Sequence, residues 1–170
     1  TIREECKRYQ YPPPKLFIEP GRSIVNDAGN TVYTVGTIKE IPGIKKYIAV
    51  DGGMTDNPRP ILYGAGYQAI VANRIHQGSP EMVSVVGKCC ESGDVIIQQT
   101  EISPVQTGDI LVVEGTGAYN YSMASNYNLI PRPGVVFIRN GKPYLVVRPE
   151  SWYDLVRRDI LPEYLIEKGE

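Results

Sequence analysis

Short runs of apolar and β-branched residues, each halted by Gly, Pro, Asn or Asp, recur along the whole chain. That rhythm leaves little room for long helices and favours paired strands joined by tight turns. Residues 15–19 (KLFIE), 23–25, 31–38, 46–50, 68–72, 82–86, 95–100, 109–113, 135–139 and 142–148 read as strands. Asp27-Ala28-Gly29-Asn30 reads as a hairpin turn, and Asn140-Gly141 is the strongest short hairpin signal in the chain. Helices are few. Residues 121–127 suit a short one. A last helix is marked by Ser151 as N-cap, Asp154 completing a capping box, and a stripe of Trp152, Leu155, Val156 and Ile160. The expected fold is all-β: a Greek-key β-barrel or sandwich-like domain with a short C-terminal helix.

Composition narrows the function by exclusion. With 42% hydrophobic and 22% charged residues among 170, the chain suits a soluble globular domain with a sizeable core. Its net charge of −1, from 18 basic and 19 acidic residues, leaves no basic excess to neutralise phosphates, which argues against nucleic-acid binding. No run approaches the roughly 20 apolar residues of a membrane span, and the opening TIREECKRYQYPPP is charged and polar, unlike a signal peptide. A cytoplasmic protein is the default expectation. Cys6, Cys89 and Cys90 do not form a disulfide framework, because neighbours in a strand point to opposite faces. With no C-x-x-C spacing and a single histidine, His76 in a polar stretch, neither a zinc site nor a His-dependent hydrolase is expected. The chain lacks an initiator Met and reads as starting in the middle of something, with Tyr11-Pro12-Pro13-Pro14 as a stiff linker or strand lead-in.

Chemistry resides in four polar islands that break the strands: EPGR at 19–22, DGGMTDNPRPILYGAGY at 51–67, GKCCESGD at 87–94 and EGTGAYNYSMASNYN at 114–128. Each has a plain reading as a turn or connection. In order and spacing, however, all four resemble signatures of the fold-type III pyridoxal-phosphate decarboxylases, most closely the diaminopimelate decarboxylases. The resemblance extends from about Leu16 to the R-P-E and Y-D-L-V-R-R-D segments near Asp159. Lys88-Cys89 stand where that family has Pro and an apolar residue, so Cys90 aligns with the functional cysteine. Asn120 replaces the small or aromatic residue often found after G-A-Y.

The resemblance implies pyridoxal 5'-phosphate as cofactor, with the Schiff-base lysine outside this chain in a (β/α)₈ barrel. Residues 1–22 would be the tail end of that barrel, and 23–170 the C-terminal β-domain. Glu19 would face the pyridine nitrogen, where a carboxylate favours the protonated, electron-accepting ring. Pro20, Gly21 and Arg22 would line the cofactor, with Gly21 allowing close backbone approach to its phosphate. Arg22 would also reach substrate. Arg59 and Tyr63 would take the distal carboxylate of diaminopimelate and Glu91 its ammonium, while Tyr119 would contact cofactor and substrate. Cys90 would be the acid that protonates the carbon left by carbon dioxide, a thiol being largely protonated at neutral pH. A homodimer is implied, with Cys90 and Glu91 reaching the partner's active site.

Two rival readings remain at this stage. One is a decarboxylase of the same fold acting on another amino acid, such as ornithine or arginine; the pair Cys90-Glu91 together with Arg59 and Tyr63 favours diaminopimelate. The other is a non-catalytic paralogue kept for dimerisation or regulation, which should have lost Cys90 or Arg59.

Overall fold

The computed structural model describes residues 1–75 and 77–166. The reading of His76 as a surface residue falls outside them. Eight strands run in chain order: β1 Thr31–Ile41, β2 Lys45–Val50, β3 Ala69–Val71, β4 Glu81–Val86, β5 Val95–Ile102, β6 Ile110–Val113, β7 Val135–Arg139 and β8 Lys142–Val147. Five short helices are interspersed: α1 Ile2–Arg8, α2 Arg22–Val25, α3 Arg59–Tyr63, α4 Asn120–Met123 and α5 Trp152–Val156. The all-β expectation holds.

The first six strands form one sheet in the order β3-β6-β1-β2-β4-β5. Neighbours are antiparallel except β2 and β4, which pair in parallel with Ile48 opposite Val85. The sheet curls until its edge strands β3 and β5 come within 8 Å of each other between Cα atoms. Alternation dictates what fills the curl. On β1, Tyr33 and Val35 point inward while Val32 and Thr34 point out, and Leu111 and Val113 of β6 meet them from the next strand. Ile48, Val50, Val83, Val85, Ile96 and Ile97 complete the core. One polar group enters it: Ser84 is buried, and its hydroxyl donates to the Gln98 carbonyl at 2.5 Å.

Three expectations fail at the N-terminal end. Residues 15–19 form no strand, and Leu16, Phe17 and Ile18 are exposed. An apolar run becomes a strand only when a neighbour offers it a ladder, and none lies alongside. Residues 23–25 belong to helix α2, and 27–30 form not a hairpin but a 3-10 turn at Asn26–Ala28 followed by extended backbone. The helix expected at 121–127 is shorter, ending at Met123, with a separate 3-10 turn at Tyr127–Leu129. Two helices were unforeseen although their signals are in the sequence. Thr1 and Glu4 make a reciprocal capping box for α1, while α3 has Pro60 in its first turn and a left-handed Gly64 just past its end.

Strands β7 and β8 form a separate ribbon, turned by Asn140 and Gly141 at φ 52° and 72°, the paired positive values of a type I′ hairpin. After it, α5 starts at the anticipated Ser151–Asp154 capping box. The foot of the ribbon is clamped by Glu150. Its carboxylate accepts Arg132 Nε at 2.8 Å, the Arg132 backbone N–H at 2.8 Å and Asn126 Nδ2 at 2.5 Å. The Arg132 guanidinium, above all, pulls the Glu150 carboxyl down from 4.5 to about 2. A carboxyl depressed in the folded state favours folding at pH values above its unfolded range, and that contribution disappears as pH falls through the folded value. Glu150→Gln should therefore lower the melting temperature at pH 7. The gap from the native protein should close as both are melted at successively lower pH between 4.5 and about 2; a gap constant across that range would contradict the clamp.

Candidate functional site

The second polar island is pinned to the sheet by a core residue. Tyr33, inward on β1, donates its hydroxyl to the Asp56 carboxylate, and the Gly53 N–H donates to the same carboxylate at 2.7 Å. Burial raises the Asp56 carboxyl above its usual range, and burial followed by the neighbouring Asp56 raises the Tyr33 hydroxyl well above its own. Gly52 lies against the Tyr33 ring, where a side chain would collide. The loop is thus fixed before it enters α3, the helix that carries Arg59 and Tyr63.

The third island is held by Asp94, which is only 3% exposed. Its carboxylate accepts the Met54 N–H at 2.6 Å and the Cys89 N–H at 2.8 Å, so one side chain ties the D-G-G-M loop to the loop of Cys89, Cys90 and Glu91. Two glycines make room for it. A Cβ on Gly53 would lie 2.6 Å from both Asp94 carboxylate oxygens, and one on Gly87 would come closer still. The backbone closes the same loop, Gly87 N–H to Asp94 O at 2.9 Å and Lys88 N–H to Gly52 O at 3.0 Å. Burial, then the adjacent Asp94, pushes the half-buried Cys89 thiol up to about 11. Cys90, the next residue, is exposed. Gly93 packs against Ile61 of α3, so the cysteine loop and the arginine helix touch.

Arg59, Tyr63 and Tyr119 converge. The Arg59 guanidinium carbon sits 5.2 Å from the Tyr63 ring centre and 5.7 Å from that of Tyr119, within cation–π range of both. Tyr119 reaches this position through a left-handed backbone, φ 69°, a conformation that costs a non-glycine residue energy and persists where surroundings over-determine it. Those surroundings are a seam between residues 26–31 and 115–117: Thr116 N–H to Gly29 O at 2.8 Å, Gly117 N–H to Asn26 O at 3.0 Å, and the Thr31 hydroxyl to that of Thr116 at 2.8 Å. The same seam sets Gly21 against Tyr119, whose hydroxyl lies 2.5 Å from where a Gly21 Cβ would be.

Other expected site residues are not drawn into this cluster within one chain. Arg22 follows Gly21 but turns to Asn26, Nε to Oδ1 at 2.6 Å, and lines a cleft of about 700 Å³ with Asp27, Tyr67, Gln68 and Glu114. Arg59 and Tyr63 do not line that cleft. Glu19 and Pro20 are exposed on a stretch without helix or strand. Cys90 and Glu91 are exposed, and among the described residues neither side chain bonds to Arg22, Arg59, Tyr63 or Tyr119. Sequence reasoning missed Asp56 and Asp94, which hold the loops, because a buried carboxylate and a turn carboxylate look alike in a linear string. Their company was the available signal: each lies within a few residues of glycines, Asp56 after Gly52-Gly53 and Asp94 after Gly87 and Gly93.

The family described as pyridoxal-dependent decarboxylase, C-terminal sheet domain, matches residues 23–117, and the chain belongs to it. Among curated relatives, the diaminopimelate decarboxylase of Bacillus subtilis is 54% identical over 94% of this chain, and that of Synechocystis sp. is 47% identical over 98%. The chain spans 36% and 35% of the lengths of these two proteins. A crystal structure of the M. jannaschii diaminopimelate decarboxylase in complex with L-lysine superposes with a TM-score of 0.84 at 37% identity, covering 97% of this chain and 38% of that one. A lysine/ornithine decarboxylase from Vibrio vulnificus in complex with cadaverine is more distant, with a TM-score of 0.59 at 25% identity over 67% of this chain and 31% of its own.

The Asp94 anchor makes a stability and a reactivity forecast. Asp94→Ala strands two backbone donors, which should cost about 3 kcal/mol, measurable by urea unfolding. In the native protein an alkylating reagent at pH 8 should modify Cys90 and spare Cys89, whereas in the variant both should react. Equal labelling of the two cysteines in the native protein would show that Asp94 does not hold the loop closed.

Proposed function

We propose that this chain is the C-terminal part of a diaminopimelate decarboxylase, which converts meso-diaminopimelate to L-lysine and carbon dioxide with pyridoxal 5'-phosphate. The observation that carries the reading is the Arg59 guanidinium stacked on Tyr63 and Tyr119, beside Gly21, in a chain about half identical to proteins of that name. A substrate with an ammonium and a carboxylate on its far carbon requires a cation and an anion from the protein. A guanidinium placed by two aromatic rings can grip a carboxylate in bidentate fashion. In this reading Arg59 and Tyr63 bind that carboxylate and Glu91 the ammonium.

The cofactor, when bound, supplies the electron sink for carbon dioxide loss. The donor set on residues 19–22 suits it: Glu19 offers an exposed carboxylate to the ring nitrogen, Pro20 a fixed backbone bend, Gly21 a backbone without a side chain, and Arg22 a guanidinium whose terminal nitrogens are unpaired among the described residues. Tyr119, at the junction of Gly21 and Arg59, would contact both cofactor and substrate. Cys90 would deliver the proton to the carbon that carbon dioxide leaves.

The assembly follows from exposure. Cys90 and Glu91 are exposed, and the Glu91 side chain bonds only to its neighbour Ser92 among the described residues, which suits a homodimer whose active site is shared across the interface. The exposed Leu16, Phe17 and Ile18 suit a segment belonging to a preceding barrel, with residues 1–22 its tail, 23–170 the β-domain, and the Schiff-base lysine outside this chain. No helix among the described residues is long and apolar enough to cross a membrane.

The full-length protein should turn over meso-diaminopimelate in preference to ornithine or arginine. Arg59→Ala should lower kcat/KM by roughly two to three orders of magnitude, the equivalent of about 3–5 kcal/mol for a stranded charge, and Cys90→Ala should lower kcat with little change in KM. The 170-residue chain alone should release no carbon dioxide. Turnover of ornithine or arginine with none of diaminopimelate would overturn the substrate assignment.

A further inference from the structure

Two asparagines near the aromatic–arginine stack have no explanation in the roles above. Asn57 is 1% exposed and Asn120 4% exposed, and neither side-chain amide has a hydrogen-bond partner at its oxygen or its nitrogen. Arg59 Nε is buried and unpartnered as well. Buried polar atoms are nearly always satisfied, so five such atoms on two segments in contact are not neutral packing.

Their setting relates them. The segments 55–59 and 119–125 lie against each other: Ser125 N–H donates to Thr55 O at 2.8 Å, and Arg59 stacks over Tyr119. Asn57 falls midway between Thr55 and Arg59, and Asn120 directly follows Tyr119. The two buried amides are thus carried by the two segments that meet at this seam and bear Arg59 and Tyr119. Arg59 Nε brings one donor, and each amide brings an acceptor and donors of its own. That combination suits an enclosed water, which typically makes about three hydrogen bonds to buried polar groups.

We propose that Asn57 and Asn120 are positioning residues: through ordered water in this seam they engage Arg59 Nε and fix the guanidinium on the Tyr119 ring, so that its outer edge faces the substrate. Neither asparagine touches substrate; both act through Arg59. The effect on substrate binding rests on the diaminopimelate reading, while the water and the arginine placement do not.

Crystal structures of the full-length protein and of its Asn57→Leu and Asn120→Leu variants test this. Leucine keeps the branched skeleton of asparagine and removes its hydrogen bonds. In the native protein an ordered water should lie within hydrogen-bond range of Arg59 Nε and of at least one of the two amides. In the leucine variants it should be gone and Arg59 should have left the Tyr119 ring. KM for diaminopimelate should rise about tenfold, close to 1.4 kcal/mol, with kcat within about threefold, and Asn120→Ser, which restores a hydroxyl, should recover part of the loss. Should a leucine variant not fold, the native structure and the serine variant still decide. A dry seam in the native protein, or leucine variants with Arg59 unmoved and KM unchanged, would overturn the proposal. If diaminopimelate is not turned over at all, the functional reading fails, and the position of Arg59 in the variants still judges the seam.

Discussion

Two buried carboxylates organise the end of this domain that holds the candidate site. Asp56 receives the hydroxyl of Tyr33, a core residue of the central strand, and Asp94 receives backbone donors from two separate loops. A charge removed from water costs heavily unless its lone pairs are met, and here each carboxylate is surrounded by hydrogen-bond donors that have few other options. The sheet fixes Tyr33, Tyr33 fixes Asp56, and the glycine-rich loop then has one way to run. Asp94 transfers that constraint to the cysteine loop. The loops bearing Arg59, Cys90 and Glu91 thus inherit their positions from the hydrophobic core.

This arrangement explains why glycine clusters at the site. Gly52, Gly53 and Gly87 are needed less for turning the chain than for what presses against them, a tyrosine ring and a carboxylate that leave no space for a Cβ. Gly21 meets the hydroxyl of Tyr119 in the same manner. Backbone brought this close to side chains gives a rigid end to the sheet without regular secondary structure.

The sheet was legible from sequence because alternation is a local property: β1, β2, β4, β5 and the β7–β8 hairpin follow the run of inward and outward residues and the Asn140-Gly141 turn. Residues 15–19 show the limit of that reasoning, since KLFIE has strand composition but no strand to pair with. Composition reports what a segment would bury, not whether a neighbour is present to bury it. The site was legible in another way. Roles for Arg59, Tyr63, Cys90 and Tyr119 came from a resemblance, and periodicity alone pointed to none of them. The stack of Arg59 on Tyr119 joins loops remote in sequence, and no local pattern encodes such a meeting.

Separation of the expected residues into two groups has a physical logic. Arg59, Tyr63, Tyr119 and Gly21 meet within the chain, where core-anchored loops hold them at fixed spacing. Cys90 and Glu91 stand on the outer side of the Asp94 loop, exposed but rigidly based. The proton donation proposed for Cys90 calls for such a firm base as well as an exposed thiol. Cys89 illustrates the contrast: one residue away, half-buried beside Asp94, its thiol is pushed up to about 11 by burial and by that carboxylate. One buried carboxylate thus distinguishes two adjacent cysteines, holding the first in place as packing and presenting the second to whatever approaches from outside the chain.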